Sequence, residues 1–240
     1  MPLTVTPTQS DIQDALRSFL LSVLPAGVDA IAGMVNRVPE PAAPNFIVFT
    51  CIRRRRIATN LDSFNDCRFT ASINGTAMVV TGVDVGTILE GAVLFGAGIA
   101  AGTTVVSGPG GVGVYVVAPS QTAPTTTVSA GQANYTQMTE VVFQVDVHSA
   151  NVLDSADMAQ TITTMFRDAY ATQFFAAANP AVAPLLADDP RQMPFLDAEE
   201  QFETRWMVEA RLQANQTILG VPAQFADSAD LTIFDATALP

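Results

Sequence analysis

Between Ser10 and Val23 apolar residues recur at helical spacing: Ile12, Ala15, Leu16, Phe19, Leu20 and Val23. Ser10 and Gln13 stand in capping-box positions and Pro25 supplies the stop, so an amphipathic helix is predicted here. The segment Asn45 to Asn60 reads as a strand, and in a second one Val141, Phe143, Val145 and Val147 alternate with polar Glu140, Gln144, Asp146 and His148. A second helix is predicted from an N-cap at Asp154 or Ser155, with Ile162, Met165, Phe166, Ala169 and Tyr170 on its apolar side. The clearest alternation comes last. Phe202, Thr204, Trp206, Val208, Ala210 and Leu212 point one way, and Glu203, Arg205, Glu209, Arg211 and Gln213 the other. A short strand over Ala229 to Ala236 closes the chain.

The middle differs in texture. Twelve of the fifteen glycines fall between Gly75 and Gly131, and no arginine lies between Arg68 and Arg167. Short Val- and Thr-rich runs, punctuated by Asn-Gly and Gly-Pro-Gly-Gly, predict strands near 68–73, 77–83, 92–95, 103–107, 114–118 and 125–129. The expected organisation is an α+β domain of residues 1–67 and 132–240, an antiparallel sheet with helices on one face. Residues 68–131 form an inserted all-β sandwich or barrel module.

Charge and composition exclude several functions. With 240 residues and 49% hydrophobic content, the chain can bury a substantial core. All eleven basic residues are arginine, which removes lysine-dependent Schiff-base and P-loop chemistry. Cys51 and Cys67 are too few for a disulfide framework or a metal site, and no secretion signal is read at the start. The apolar run Gly91 to Val106 is shorter than the ~20 residues of a membrane helix and is broken by glycines, so strands and turns are expected and no membrane contact. His148 shares a strand face with Asp146 and has Ser149 and Ser155 nearby in sequence. No nucleophile elbow accompanies it, and a strand-face histidine is the better reading than a hydrolase triad. "GPGGVG", Gly108 to Gly113, lacks the lysine and the following helix of a phosphate loop, and reads as a β turn. Asp188, Asp189, Asp197, Glu199 and Glu200 lack histidines or a ligand spacing and read as a solvated acidic loop. No catalytic residue, cofactor or metal is expected.

The helix "DIQDALRSFLLSVLP", the connection "GVDAIAGMVNRVPEP", the strand "NFIVFTCIRRRRIATN" and the long segments beginning "VVFQVDVHSAN" and "ADDPRQMPFLDAEEQFETRW" together resemble the bacteriophage neck and tail-terminator proteins, described as neck terminator-like. The resemblance implies a homo-oligomeric ring, commonly a hexamer, that caps the tail tube and joins it to the neck or connector protein. Phage DNA would pass through the lumen without specific binding. It also implies a virion protein made in the host cytoplasm. The glycine-rich middle is similar to small β domains inside phage structural proteins, which would decorate the neck, contact sheath or collar proteins, or bind a surface glycan. In the alternative reading the chain is a tail or neck accessory protein that binds a host-surface glycan or receptor through that module; deleting 68–131 would then abolish function, whereas on the first reading it would leave assembly intact.

Four consecutive arginines in a chain of net charge −12 remain to be explained. On a strand, Arg53 and Arg55 point one way and Arg54 and Arg56 the other, so they form two pairs and not one patch. Within the resembled family they would meet Glu140, Asp146, Glu203 or Glu209 on neighbouring strands or protomers, with Arg205 and Arg211 in the same subunit-facing ladder. Ordinary surface pairing within the chain and contact with DNA are the other readings, and the split charge counts against DNA.

Overall fold

The computed structural model describes residues 4–33, 45–149, 151–196 and 202–222. In chain order the elements are β1 (Thr4–Thr6), α1 (Gln9–Val23), β2 (Asp29–Ala32), β3 (Asn45–Arg56), β4 (Leu61–Val85), β5 (Val93–Gly96) and β6 (Thr104–Ser107). They continue with β7 (Gly113–Ser149), α2 (Val152–Arg167), α3 (Ala169–Ala178), β8 (Val182–Ala187), β9 (Arg191–Leu196) and β10 (Phe202–Pro222). Sheet dominates, with few helices. The chain divides into two compact units, one of Val5–Leu61 with Thr136–Thr217, the other built on Asp62–Tyr135.

In the first unit β7 pairs antiparallel with β3, from Asn45 opposite Ser149 to Arg56 opposite Thr139. β10 lies on the other side of β7 and pairs antiparallel with β8 and β9. The sheet is mixed, not antiparallel throughout, because β2 runs parallel to β3. A parallel neighbour needs a crossover of about a dozen residues, and residues 33–44 supply that length. Val141, Phe143, Val145 and Val147 of β7 join Ile47 and Phe49 of β3, Val208, Ala210 and Leu212 of β10, and the apolar faces of the three helices in one buried cluster. Successive strand side chains alternate, so Glu140, Val142, Gln144 and Asp146 point away from that cluster.

The helices depart from expectation at their ends. Thr8, not Ser10, caps α1: its hydroxyl accepts from the Asp11 amide at 3.2 Å, while Asp11 accepts from the Thr8 amide at 2.7 Å. These bonds hold the Asp11 carboxyl below its ordinary value, the backbone bond first and the hydroxyl second. A depressed carboxyl stabilises the fold above its unfolded value, so this contribution is full at neutral pH and lost as the pH falls through the acid range. Thr8→Ala removes the hydroxyl bonds and keeps the backbone one, so Asp11 is expected to rise only part of the way to its ordinary value, read by carboxyl NMR titration; an unmoved Asp11 would contradict the hydroxyl's part in the cap.

The expected second helix is two helices. Asp168 leaves helical geometry and accepts from the Tyr170 amide at 2.9 Å, which starts α3 afresh. Residues 191–196, expected in an acidic loop, form β9. Asp197, Glu199, Glu200 and the strand expected over 229–236 lie outside the described residues.

The second unit has its own core, with Phe69, Ile73, Met78, Val80, Leu94, Tyr115, Val117 and Val128 among its buried residues. β4 covers two expected strands. Thr81 donates to the Thr70 carbonyl at 3.3 Å, so the run doubles back around Asn74 and Gly75, whose φ of 67° suits the turn. β5 pairs with β6 and with β7 at residues 128–131, and β6 pairs with β7 at residues 116–118. Two stretches of β7 thus bracket the β5–β6 pair. "GPGGVG" is the turn between β6 and β7, and it is shaped around Tyr115. That phenol donates to the Gly111 carbonyl at 2.6 Å, and a Cβ on Gly108 would sit 1.9 Å from its ring.

Cys67 lies 2% exposed in this core. Burial first, and then the charge of Asp66, pushes its thiol up to about 11. A raised thiol favours the fold fully below the ordinary value of 9.0, and that contribution fades as the pH climbs toward 11. In a Cys51→Ser background a thiol reagent at pH 8 should leave Cys67 unmodified until denaturant is added. Rapid labelling of the folded protein would contradict this burial.

Candidate subunit interface

Of the expected interface residues, Arg53, Arg55, Glu140, Asp146, Arg205 and Arg211 come together on the face of β7 that points away from the core, and a bulge decides which of them meet. Cys51 lies opposite Phe143 but Arg53 lies opposite Val142, so Ile52 is an extra residue in β3. Without it, Arg54 would stand opposite Glu140. The bulge instead places Arg55 there, puts Arg53 on the same face, and turns Arg54 toward the core side. Arg54 accordingly bonds Gln216 at 3.0 Å and also Gln9 at the start of α1, and Gln216 donates to the Pro7 carbonyl at 2.7 Å. Arg56 donates to the Ala58 carbonyl at 2.8 Å.

Glu140 is the centre of the face. Its side chain is 4% exposed and receives Arg55 at 2.6 Å, Arg53 at 3.4 Å and, from β10, Arg211 at 3.9 Å. Arg211 turns its main bond to Asp188 at 2.8 Å, with Glu209 at 3.9 Å. That bond, and then the Asp188 charge, raises the pKa of Arg211 further, so the group is a fixed cation. Farther along β7, Arg205 reaches Asp146 at 2.8 Å, and Gln144 donates to both Asp146 oxygens. Glu209 pairs with Arg191 of β9 at 3.5 Å. Glu203 lies in β10 opposite Phe195, and its side chain lies outside the described residues.

Three guanidiniums to one carboxylate leaves the arginines with donors to spare. Arg53 and Arg55 keep 51% and 63% of their side chains in solvent. Such half-open forks bind a second carboxylate in two-point fashion. Asp188, expected in a solvated acidic loop, is instead bound by Arg211, and Arg191 did not stand out in sequence because it opens a strand, β9, that carries proline and little alternation. The bulge left no mark in sequence at all.

The remaining candidates resolve structurally. His148 stacks on Phe46 with ring centroids 4.6 Å apart, and the Ser149 hydroxyl donates to Asn45 at 2.7 Å. Asp189 receives Arg167 at 2.8 Å. Among the described residues no cluster of His, Cys, Asp and Glu could hold a metal, and no helix is long and apolar enough to cross a membrane.

No curated protein matches the chain. The family model described as phage neck terminator protein matches residues 83–237. The matched span takes in Glu140, Asp146, Arg205, Glu209 and Arg211, leaves out the four consecutive arginines, and runs through most of the glycine-rich segment. Over that majority of its length, this chain belongs to the phage neck terminator protein family.

Proposed function

We propose that the protein is the subunit of a closed ring, of six copies, at the head-tail neck. The ring ends the tail tube, joins it to the connector and lets DNA pass through its lumen. The family match carries this reading, since it makes the chain a phage structural neck protein that interacts with other tail and neck proteins. The role is structural: binding surfaces and repetition, not catalysis. In this reading the helices form a layer on one face of the sheet, the arginine-rich face contacts neighbouring subunits, and the Asp62–Tyr135 unit is an added module that decorates the ring or meets collar or sheath proteins. The net charge of −12 suits a lumen that repels phosphate, the reverse of the attraction that drives nonspecific DNA binding.

Light scattering of the purified full chain, followed by negative-stain imaging of the largest species, tests the ring. Closed sixfold annuli with an axial opening are expected; open filaments or a species that stays monomeric at every concentration would overturn it.

A further inference from the structure

A second surface of the same unit complements the arginine face. Between the end of α1 and the start of α2 lies a cleft of about 630 Å³ lined by Val23, Leu24, Pro25 and Met158 on its apolar part and by Asn45, Thr161, Asp154 and Asp157 on its polar part. Both carboxylates are exposed, and neither has an ion pair among the described residues. Asp154 sits in the first turn of α2, where the helix dipole alone would favour it. Asp157 lies beyond that turn, and beside an apolar wall it has no such reason.

The arginine face offers the converse. Arg55, Glu140, Arg211 and Leu186 follow one another across β3, β7, β10 and β8, with Leu186 opposite Arg211 and 42% exposed. Met193, opposite Arg205, is 43% exposed. The face thus has half-open guanidiniums beside exposed apolar side chains, while the cleft has carboxylates without an ion pair among the described residues beside apolar Val23, Leu24 and Pro25. One lies on the core side of the sheet and the other on the side turned away from it.

We infer that these are the two halves of one contact between copies: Arg53 and Arg55 of one subunit bind Asp154 and Asp157 of the next, with Leu186 set against the cleft wall. This rests on the ring reading and names the surfaces that build it. Pairing the cleft with itself would oppose its two carboxylates, whereas Arg53 and Arg55 offer them opposite charge, so the contact is head-to-tail, and a head-to-tail contact closes into a ring when its rotation permits. Arginine at its centre fits the composition of interface cores, and part of its strength is electrostatic and screened by salt.

The experiment uses the full chain. Asp154→Asn with Asp157→Asn leaves every ion pair among the described residues in place, and is expected to weaken self-association at least tenfold by light scattering. Chains carrying Arg55→Cys and chains carrying Asp157→Cys, mixed under mild oxidation, should give disulfide-linked dimers that neither gives alone beyond the background of Cys51 and Cys67. Unchanged association of the double variant, or cross-linking by Arg55→Cys chains alone, overturns the inference while the parent's rings leave the ring reading standing. A parent that never associates overturns both.

Discussion

Phe19→Ala is expected to destabilise the Val5–Leu61 and Thr136–Thr217 unit by about 4 kcal/mol, the range for deleting a fully buried aromatic ring. Phe19 is fully buried, and its ring lies 5.4 Å from Phe166, 5.4 Å from Phe175 and 5.7 Å from Phe174 between centroids. Two costs add: the lost transfer of the ring from water, and the cavity left behind. The cavity collapses poorly because Phe166, Phe174 and Phe175 are each held by the backbone of α2 or α3, and the edge-to-face contacts to Phe166 and Phe174 disappear with the ring. In a chain of this size a loss of this order lowers the midpoint by roughly 10–15 °C. Thermal unfolding followed by circular dichroism checks it. Phe174→Ala, at a partly buried position, should cost distinctly less, and equal losses would contradict this packing.

The second large effect concerns Glu140 and has an unusual sign. Arg53→Gln with Arg55→Gln should cost about 3 kcal/mol, because it strands a buried carboxylate. What remains is Arg211 at 3.9 Å, already engaged by Asp188. Adding Glu140→Gln to that pair should return part of the loss, since it removes the stranded charge. Glu140→Gln alone should cost less than the arginine pair, because Arg53 and Arg55 are half in solvent and can swing into it. Urea unfolding of the four proteins forms a cycle in which non-additivity measures the coupling. A triple variant less stable than the double would show that Glu140 is held by packing and not by its arginines.

The two effects differ in how far they could be read beforehand. Phe19 was legible: helical spacing places it on the buried stripe of α1, and the alternation in β7 and β10 shows which of their residues share its core. The charged face was legible as alternation, since Glu140, Asp146, Arg205 and Arg211 all fall on the polar side of their strands. Their partners were legible only as a short set of carboxylates with Glu140 among them, and which arginines face that acid was not. One extra residue at Ile52 exchanges the faces of Arg53 and Arg54, and a bulge is a property of the ladder between two strands, not of either sequence. The parallel pairing of β2 and the break at Asp168 escaped for a similar reason. Four residues carry little periodicity, and a helix can be interrupted by one capping side chain without any change in the apolar pattern around it.

The arginines that drew attention as a possible nucleic-acid site therefore act as two separate devices. Arg54 ties β3 to Gln216 and to the first turn of α1, while Arg53 and Arg55 share a buried acid and keep open forks toward whatever approaches that face. The family match places the chain among phage neck proteins, and the proposed ring gives those open forks a use.

Antibody labelling of intact virions, viewed by electron microscopy, tests the neck assignment most directly. Label confined to the junction of head and tail is the expected result. Label along the tail or at its tip, or virions that carry none of the protein, would contradict it.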